Sequence, residues 1–473
     1  MKRQTWVFVG LFLVLCAAPS RAENRIIVRT TLGLPGLQRL CLFETCSVIG
    51  GLSDPLNQLF LVETPLDATV FENLLRFVPG ILNVELDRLL SLPGGLNVVP
   101  ASLPSGLMSD RSLVSFCGSN AWNSYANQPA ASIVQVPAAQ QQFCGAGIVA
   151  DIDTGIDPNH PAFAGVLLPG YDFTRNQPGA SELNDINPSD FPSYPPPACN
   201  STTCPEPAKV NQSSAAILDQ SSAAILDGNP KYAAFGHGTM VMGVVHLVAP
   251  KATLLPLKAF HADGTGYLSD ILRAIYYAVH NGANVINMSF DFTTSSRELT
   301  SALNYANQSS LISVASAGND GQKEIVYPAA LESDVMGVAS TDDLDVRSSF
   351  SNYGDAIVWV AAPGEAIVTT YPFASYAAGW GTSFSAPFVS GASALLLNKQ
   401  AKINQSEAAA AIAHAVFVGP DMGNGRLAIA QALGTLSPAD CSPSDSTTSS
   451  TNIPGQSAMY TLTVTPDSPP QSK

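Results

Sequence analysis

Apolar residues recur along this chain with two different spacings, and the predicted elements change where the spacing changes. After an unbroken apolar run from Val7 to Cys16, residues 25–31 alternate apolar and polar as a strand does. A short helix is expected over Leu37–Leu42 and a strand over Gln58–Glu63. Over Ala68–Phe77 the positions Val70, Leu74, Leu75 and Phe77 follow helical intervals, and Ile81–Leu90 reads as a closing strand. Further on, short apolar runs alternate with longer helical segments. Ile148–Asp153, Ala252–Phe260, Ala283–Ser289 and Leu311–Ala317 read as buried strands. Tyr267–His280 reads as an amphipathic helix with Leu268, Ile271, Leu272, Ile275 and Val279 on its apolar face. The small-and-apolar run Phe388–Leu397 is a further buried helix, and Ser406–Val416 and Gly425–Leu433 close the series.

The later alternation implies an α/β domain, a mostly parallel sheet between helix layers. The early segment differs. With one strand unaccounted for, its order approximates the β-α-β-β-α-β pattern of a small ferredoxin-like α+β domain.

Three segments of the α/β part carry candidate chemistry. Ile148–Asp153 delivers Asp153 at the end of a strand, followed by Thr154-Gly155. Gly236-His237-Gly238-Thr239 puts His237 at the start of a buried helix. Gly381-Thr382-Ser383-Phe384-Ser385-Ala386-Pro387 opens another helix, placing the Ser383 hydroxyl near unpaired N–H groups and the positive end of the helix dipole. An acid, an imidazole and a hydroxyl at strand ends and helix starts are the parts of a nucleophilic triad.

In this order and context, the three motifs resemble the subtilisin-like serine proteases (peptidase family S8), of the secreted bacterial type with an inhibitor-like propeptide. The resemblance covers about two thirds of the chain. It implies a subtilisin-like three-layer fold and a catalytic triad of Asp153, His237 and Ser383. It also implies a role for Asn319, in Ala317-Gly318-Asn319, as the side-chain donor of the oxyanion hole. Sedolisin-like proteases share the Gly-Thr-Ser motif but use Glu for the His and Asp for this Asn, so His237 and Asn319 disfavour them. Substrate contacts would come from two strand ends, Ser289-Phe290-Asp291 and Ser316-Ala317-Gly318. Asp291 stands where the family has a small glycine, and Val326 is expected at the base of the pocket for the side chain before the scissile bond (P1). The pocket is then narrowed toward modest apolar residues, unless Asp291 points inward and attracts Lys or Arg. Phe384 replaces the Met that many relatives carry after the nucleophile. Ala162 stands where many have a calcium-ligating acid, so calcium is not supported by that motif. Asp342, Asp343 and Asp345 could ligate one, although paired loop aspartates are usually solvated. His160 is expected to be structural. No organic cofactor is required.

Composition agrees. Hydrophobic residues make up 46% of the 473 and charged residues 12%, so a large core can form. A net charge of −15 argues against nucleic acid or an anionic membrane as partner. Met1-Lys2-Arg3 and the following apolar run form a signal peptide over residues 1–22, too short to span a membrane, so secretion is expected. Cys16 lies in that leader. By proximity the others pair as Cys41–Cys46, Cys199–Cys204 and Cys117–Cys144, with Cys441 left over.

The expected organisation is a ferredoxin-like propeptide at 23–92, a processing linker at 93–115 and the peptidase domain at 116–435. A Ser/Thr/Pro-rich linker over 436–457 and an isolated β-strand tail over 458–473 follow, the tail resembling a strand of immunoglobulin-like modules. Asp172–Pro230 is an insertion holding a tandem octapeptide, Gln212–Asp219 and Gln220–Asp227. The expected product is a monomeric zymogen acting on proteins or peptides, with its own propeptide as inhibitor. The alternative is a secreted binding or adhesion protein on a protease scaffold, active at most on itself.

Overall fold

The structure, a computed structural model, describes residues 24–92, 107, 109–190, 215–217 and 229–436. The leader, Cys199, Cys204, Cys441 and the C-terminal linker and tail lie outside the described residues. The chain divides at Arg88/Leu89 into two compact units.

The smaller unit has the order strand Asn24–Thr30, helix Gly33–Glu44, strands Ser47–Gly51 and Leu59–Thr64, helix Ala68–Leu75 and strand Ile81–Leu86. The strands form one antiparallel sheet with Asn24–Thr30 and Leu59–Thr64 at its centre. The strand missing from the sequence reading is Ser47–Gly51. It is short, holds two glycines and shifts register between Val48 and Gly50, so it leaves little periodic trace. The Ala68–Leu75 helix is where its period puts it, but a different stripe is buried. Phe71 and Leu75 are in the core, whereas Val70 and Phe77 are 51% and 83% exposed. A disulfide joins Cys41 to Cys46 across the end of the first helix.

In the larger unit an eight-stranded sheet has the order 177–178, 171–172, 253–258, 148–153, 285–288, 312–316, 336–341, 360–363. Every neighbouring pair is parallel except the outermost, 171–172 with 177–178. From 253–258 to 360–363 its strands are mostly apolar and buried on both faces, as a sheet between helix layers requires, whereas 171–172 and 177–178 at the edge are partly exposed. The His237–Val248 and Thr382–Lys399 helices pack closely: a Cβ on Gly391 would lie 2.5 Å from Val248 Cβ, so only glycine fits there. The helix expected over Tyr267–His280 forms as Leu268–His280 and buries Leu268, Ile271, Leu272 and Ile275, while Val279 is only half-buried. Cys117 and Cys144 form the second disulfide.

Two boundaries differ from expectation. The run Ile81–Leu90 does not stay in one strand: Asp87 pairs with Arg25, and Leu89–Ser91 pairs antiparallel with Thr265–Tyr267 of the larger unit. Within the expected linker, Leu113–Phe116 forms a hairpin with Ser119–Trp122. In the insertion, Ala215–Ile217 of the first octapeptide pairs antiparallel with Ser375–Gly379.

Candidate active site

The central strand Ile148–Asp153 has Thr253–Lys258 on one side and Val285–Met288 on the other. The chain fills the first side and then crosses to the second, so the carboxyl end of the central strand opens on a topological switch point, where crevices form. Asp153 ends this strand and is buried. His237 opens its helix after Gly236, whose φ is 89°. Ser383 is the second residue of the Thr382–Lys399 helix, entered through Gly381 at φ 144°, a value in the region that favours glycine.

His237 Nδ1 lies 2.8 and 2.9 Å from the two carboxylate oxygens of Asp153. Nδ1 therefore carries the proton, and Nε2 is an acceptor in the neutral ring. Burial alone would lower the His237 pKa, but the Asp153 charge, its hydrogen bond and Glu182 together raise it above the ordinary histidine value. None of the described hydrogen bonds joins His237 to Ser383. Ser383 Oγ donates to Ser289 O at 3.3 Å, and the ring of Phe384 lies 5.9 Å from the His237 ring, centroid to centroid. Catalytic hydrogen bonds are often long without substrate and tighten with it.

The helix start is held by side chains outside the helix. Pro387 has no N–H to give the Ser383 carbonyl four residues earlier. Ser289 Oγ donates to that carbonyl instead, at 3.0 Å. Asn319 Oδ1 accepts from both Thr382 N and Thr382 Oγ1 at 2.9 Å, which fixes the plane of its amide beside Ser383. Its Nδ2 donates to no group among the described residues.

Two buried acids escaped the sequence reading. Asp151, one turn of the strand pleat before Asp153, accepts from Asn287 Nδ2 at 2.9 Å; the same amide donates to Ser289 Oγ. Burial, then the neighbouring Asp153, push the Asp151 pKa well up. Nothing in an apolar run marked Asp151 as part of this network. Glu182 lies in the segment read as an insertion. Its Oε2 accepts from Thr154 Oγ1 at 3.2 Å and Gly236 N at 2.9 Å, and its Oε1 accepts from Thr239 Oγ1. Glu182 thus ties the turn after Asp153 to both sides of His237.

His160, Asp342 and Asp345 have partners of their own. His160 is buried, with Nε2 2.9 Å from Ser375 O and Nδ1 accepting from Ala162 N, a structural role. Asp345 is engaged by Arg426 through two contacts, and Asp342 caps its own turn by accepting from Leu344 N and Val346 N. Among the described residues no group of three or more His, Cys, Asp or Glu is placed to hold a metal ion.

The model of the Subtilase family matches residues 146–457, well over half of the chain. The chain belongs to the subtilase family. Thermitase of Thermoactinomyces vulgaris is 33% identical over 277 residues, covering 56% of this chain and 80% of thermitase. A thermophilic serine proteinase of Bacillus sp. (strain AK1) is 33% identical over 261 residues, 53% of this chain and 52% of that protein. Subtilisin BL of Lederbergia lenta is 38% identical over 173 residues, 35% of this chain and 64% of subtilisin BL. This subtilase is accordingly a serine-type endopeptidase.

In the subtilase the two expected substrate segments leave the sheet side by side, because Met288 and Ala315 are register partners in parallel strands. Ser289 and Ser316 begin them, both buried. Phe290 turns into the core against Phe260, at 5.2 Å between ring centroids, so only its backbone is left for a substrate. Ala317 and Val326 are fully buried, and Phe292 and Tyr327 exchange backbone hydrogen bonds where the two segments meet again.

Proposed function

We propose that this subtilase is a secreted endopeptidase, made as a zymogen, that cleaves peptide bonds through Ser383, His237 and Asp153. His237 Nε2 takes the Ser383 proton as Oγ attacks the scissile carbonyl. The proton then passes to the leaving amine, and water releases the acyl group by the same route. Asp153 holds the ring in the tautomer this requires and stabilises its charged form. The Asn319 amide and the Ser383 N–H take the negative oxygen of the tetrahedral intermediate. The observation that carries the reading is the contact of both Asp153 oxygens with His237 Nδ1 at the carboxyl end of the central strand, with the ring of Phe384, the residue after Ser383, 5.9 Å from the His237 ring.

A zymogen is supported by Leu89–Ser91. This extended segment adds itself to Thr265–Tyr267, and Leu92 N donates to Gly264 O at 2.8 Å, with Leu90 and Leu92 buried. Gly264 in turn lies against Ala234, three residues before His237. A peptide bound as an extra strand at this edge is how a substrate, or an uncleaved leader, would sit. Secretion is supported by residues 1–22, and no described helix is long and apolar enough to cross a membrane.

The test is casein turnover by the full chain against Ser383→Ala, with mass spectrometry of the products. The expected result is a loss of about a thousandfold or more in Ser383→Ala. Self-cleavage within the expected 93–115 linker should occur only in the active form. Equal turnover by the two proteins would end the reading.

A further inference from the structure

The slot between Ser289-Phe290-Asp291 and Ser316-Ala317-Gly318 contains polar atoms that the fold leaves unsatisfied. Asp291 Oδ2 is buried without a hydrogen-bond partner. It does not face solvent: a Cβ placed on Gly318, on the facing segment, would lie 3.2 Å from it. The same Cβ position is 2.3 Å from Asn352 Nδ2, a second buried atom without a partner. Asn352 is held there by its other end, since its Oδ1 accepts from Asp320 N at 3.0 Å and Gln322 N at 3.1 Å. Ser316 Oγ, at the head of that segment, is a third such atom. Leaving buried polar groups unpaired is costly, and a carboxylate costs most. Asp291 Oδ2 is the acceptor among them that faces the opposite segment, and an occupant that donates a hydrogen bond would supply its missing partner; Asn352 Nδ2 is itself a donor and needs an acceptor instead.

The charge around the slot indicates which occupant. Asp320 and Glu324 add negative charge beside Asp291. Lys323, between them in sequence, is committed to Asp421 at 2.7 Å. An apolar side chain entering here would seal a carboxylate away from water with nothing to pair it. An ammonium or guanidinium would satisfy it through charge-assisted hydrogen bonds. Ser289 ties the slot to the chemistry, because its carbonyl is 3.3 Å from Ser383 Oγ and lies two residues from Asp291.

We propose that Asp291 makes this slot select lysine or arginine as the residue whose carbonyl Ser383 attacks. The inference rests on the proposed function and names its substrate class. It also decides between the two outcomes left open by the sequence, in favour of the inward-pointing acid. Burial, then Asp320 and Glu324, push the Asp291 pKa up to about 7. A cation bound beside it favours the ionised form, so preference for a basic residue should strengthen as pH rises through that range.

The experiment uses peptide p-nitroanilides identical except for Lys, Arg, Leu or Phe before the scissile bond, with wild type, Asp291→Asn and Ser383→Ala. Wild type should favour Lys and Arg over Phe in kcat/KM by roughly tenfold or more. Asp291→Asn, which keeps the shape and removes the charge, should lower that ratio by a similar factor. The Lys-to-Phe ratio of wild type should rise between about pH 6 and about pH 8 and stay flat in Asp291→Asn; taking a ratio cancels the titration of His237. If Asp291→Asn does not fold, wild type decides alone: a peptidyl argininal should inhibit it at least about tenfold more tightly than the matching phenylalaninal. A wild type that prefers Phe or Leu, a ratio unmoved in Asp291→Asn, or equal inhibition by the two aldehydes overturns the inference while leaving the peptidase intact. Hydrolysis of every substrate no faster than by Ser383→Ala overturns the underlying reading instead.

Discussion

Asn319 shows how one side chain can be held by one end while the other is left for the proposed oxyanion contact. Its carbonyl oxygen is consumed by Thr382 N and Oγ1. Asn319→Asp keeps an oxygen for those two bonds, but it replaces the donor with a carboxylate oxygen and so adds negative charge where the oxyanion would form. The expected outcome is a fall in kcat of at least about a hundredfold to a thousandfold with KM nearly unchanged, the loss of one oxyanion donor alone costing that much. The thermal midpoint should stay close to that of wild type; a large drop in it would mean the residue acts through structure. Asn319, like Asp153, His237 and Ser383, was legible in the sequence because each sits inside a local motif whose neighbours are fixed by the same turn. Glu182 was not. It lies in a Pro-, Asn- and Ser-rich stretch without periodicity, and its partners Thr154, Gly236 and Thr239 are brought to it only by the fold.

At the level of elements, the Thr382–Lys399 helix depends on a strand end for its first turn. Pro387 withholds an N–H from the Ser383 carbonyl, and Ser289 replaces it. Pro387 lies in the second turn of the helix, where the bond its missing N–H would have made is supplied from outside. Ser289→Ala should leave that buried carbonyl unpaired and destabilise the protein by about 1–3 kcal/mol, read as a lower denaturant midpoint. Pro387→Ala restores an N–H, so the double variant should recover much of the loss. Strictly additive effects of the two changes would show that the residues are not coupled through this carbonyl. The same contrast explains what could be read of the other elements. The buried strands and the Leu268–His280 helix announce themselves by unbroken apolar runs or a regular stripe. Ser47–Gly51 and the split after Leu86 depend on pairing partners, which no local pattern encodes.

For the whole molecule, a net charge of −15 includes carboxylates that folding forces into the interior. Glu182 is fully buried, and burial raises its pKa from 4.5 to about 7, against the opposing pull of Thr239, Gly236 and Lys258. The folded state then holds a proton that the unfolded chain releases near pH 4.5. The resulting stability is fully present below that value and is lost progressively as pH rises to about 7. Glu182→Gln has no proton to lose. In the inactive Ser383→Ala background, which prevents self-digestion, Glu182→Gln should therefore gain on its parent as pH increases. The gain amounts to about 3 kcal/mol at most between pH 4.5 and 7.5. Comparing the variant with its parent cancels the histidines, including His246, whose pKa burial lowers to about 4 and whose contribution runs the opposite way. Guanidinium midpoints across that range measure the difference. A gap that stays constant with pH would mean that Glu182 keeps its charge on folding and that its bonds to Thr154, Gly236 and Thr239 outweigh its burial.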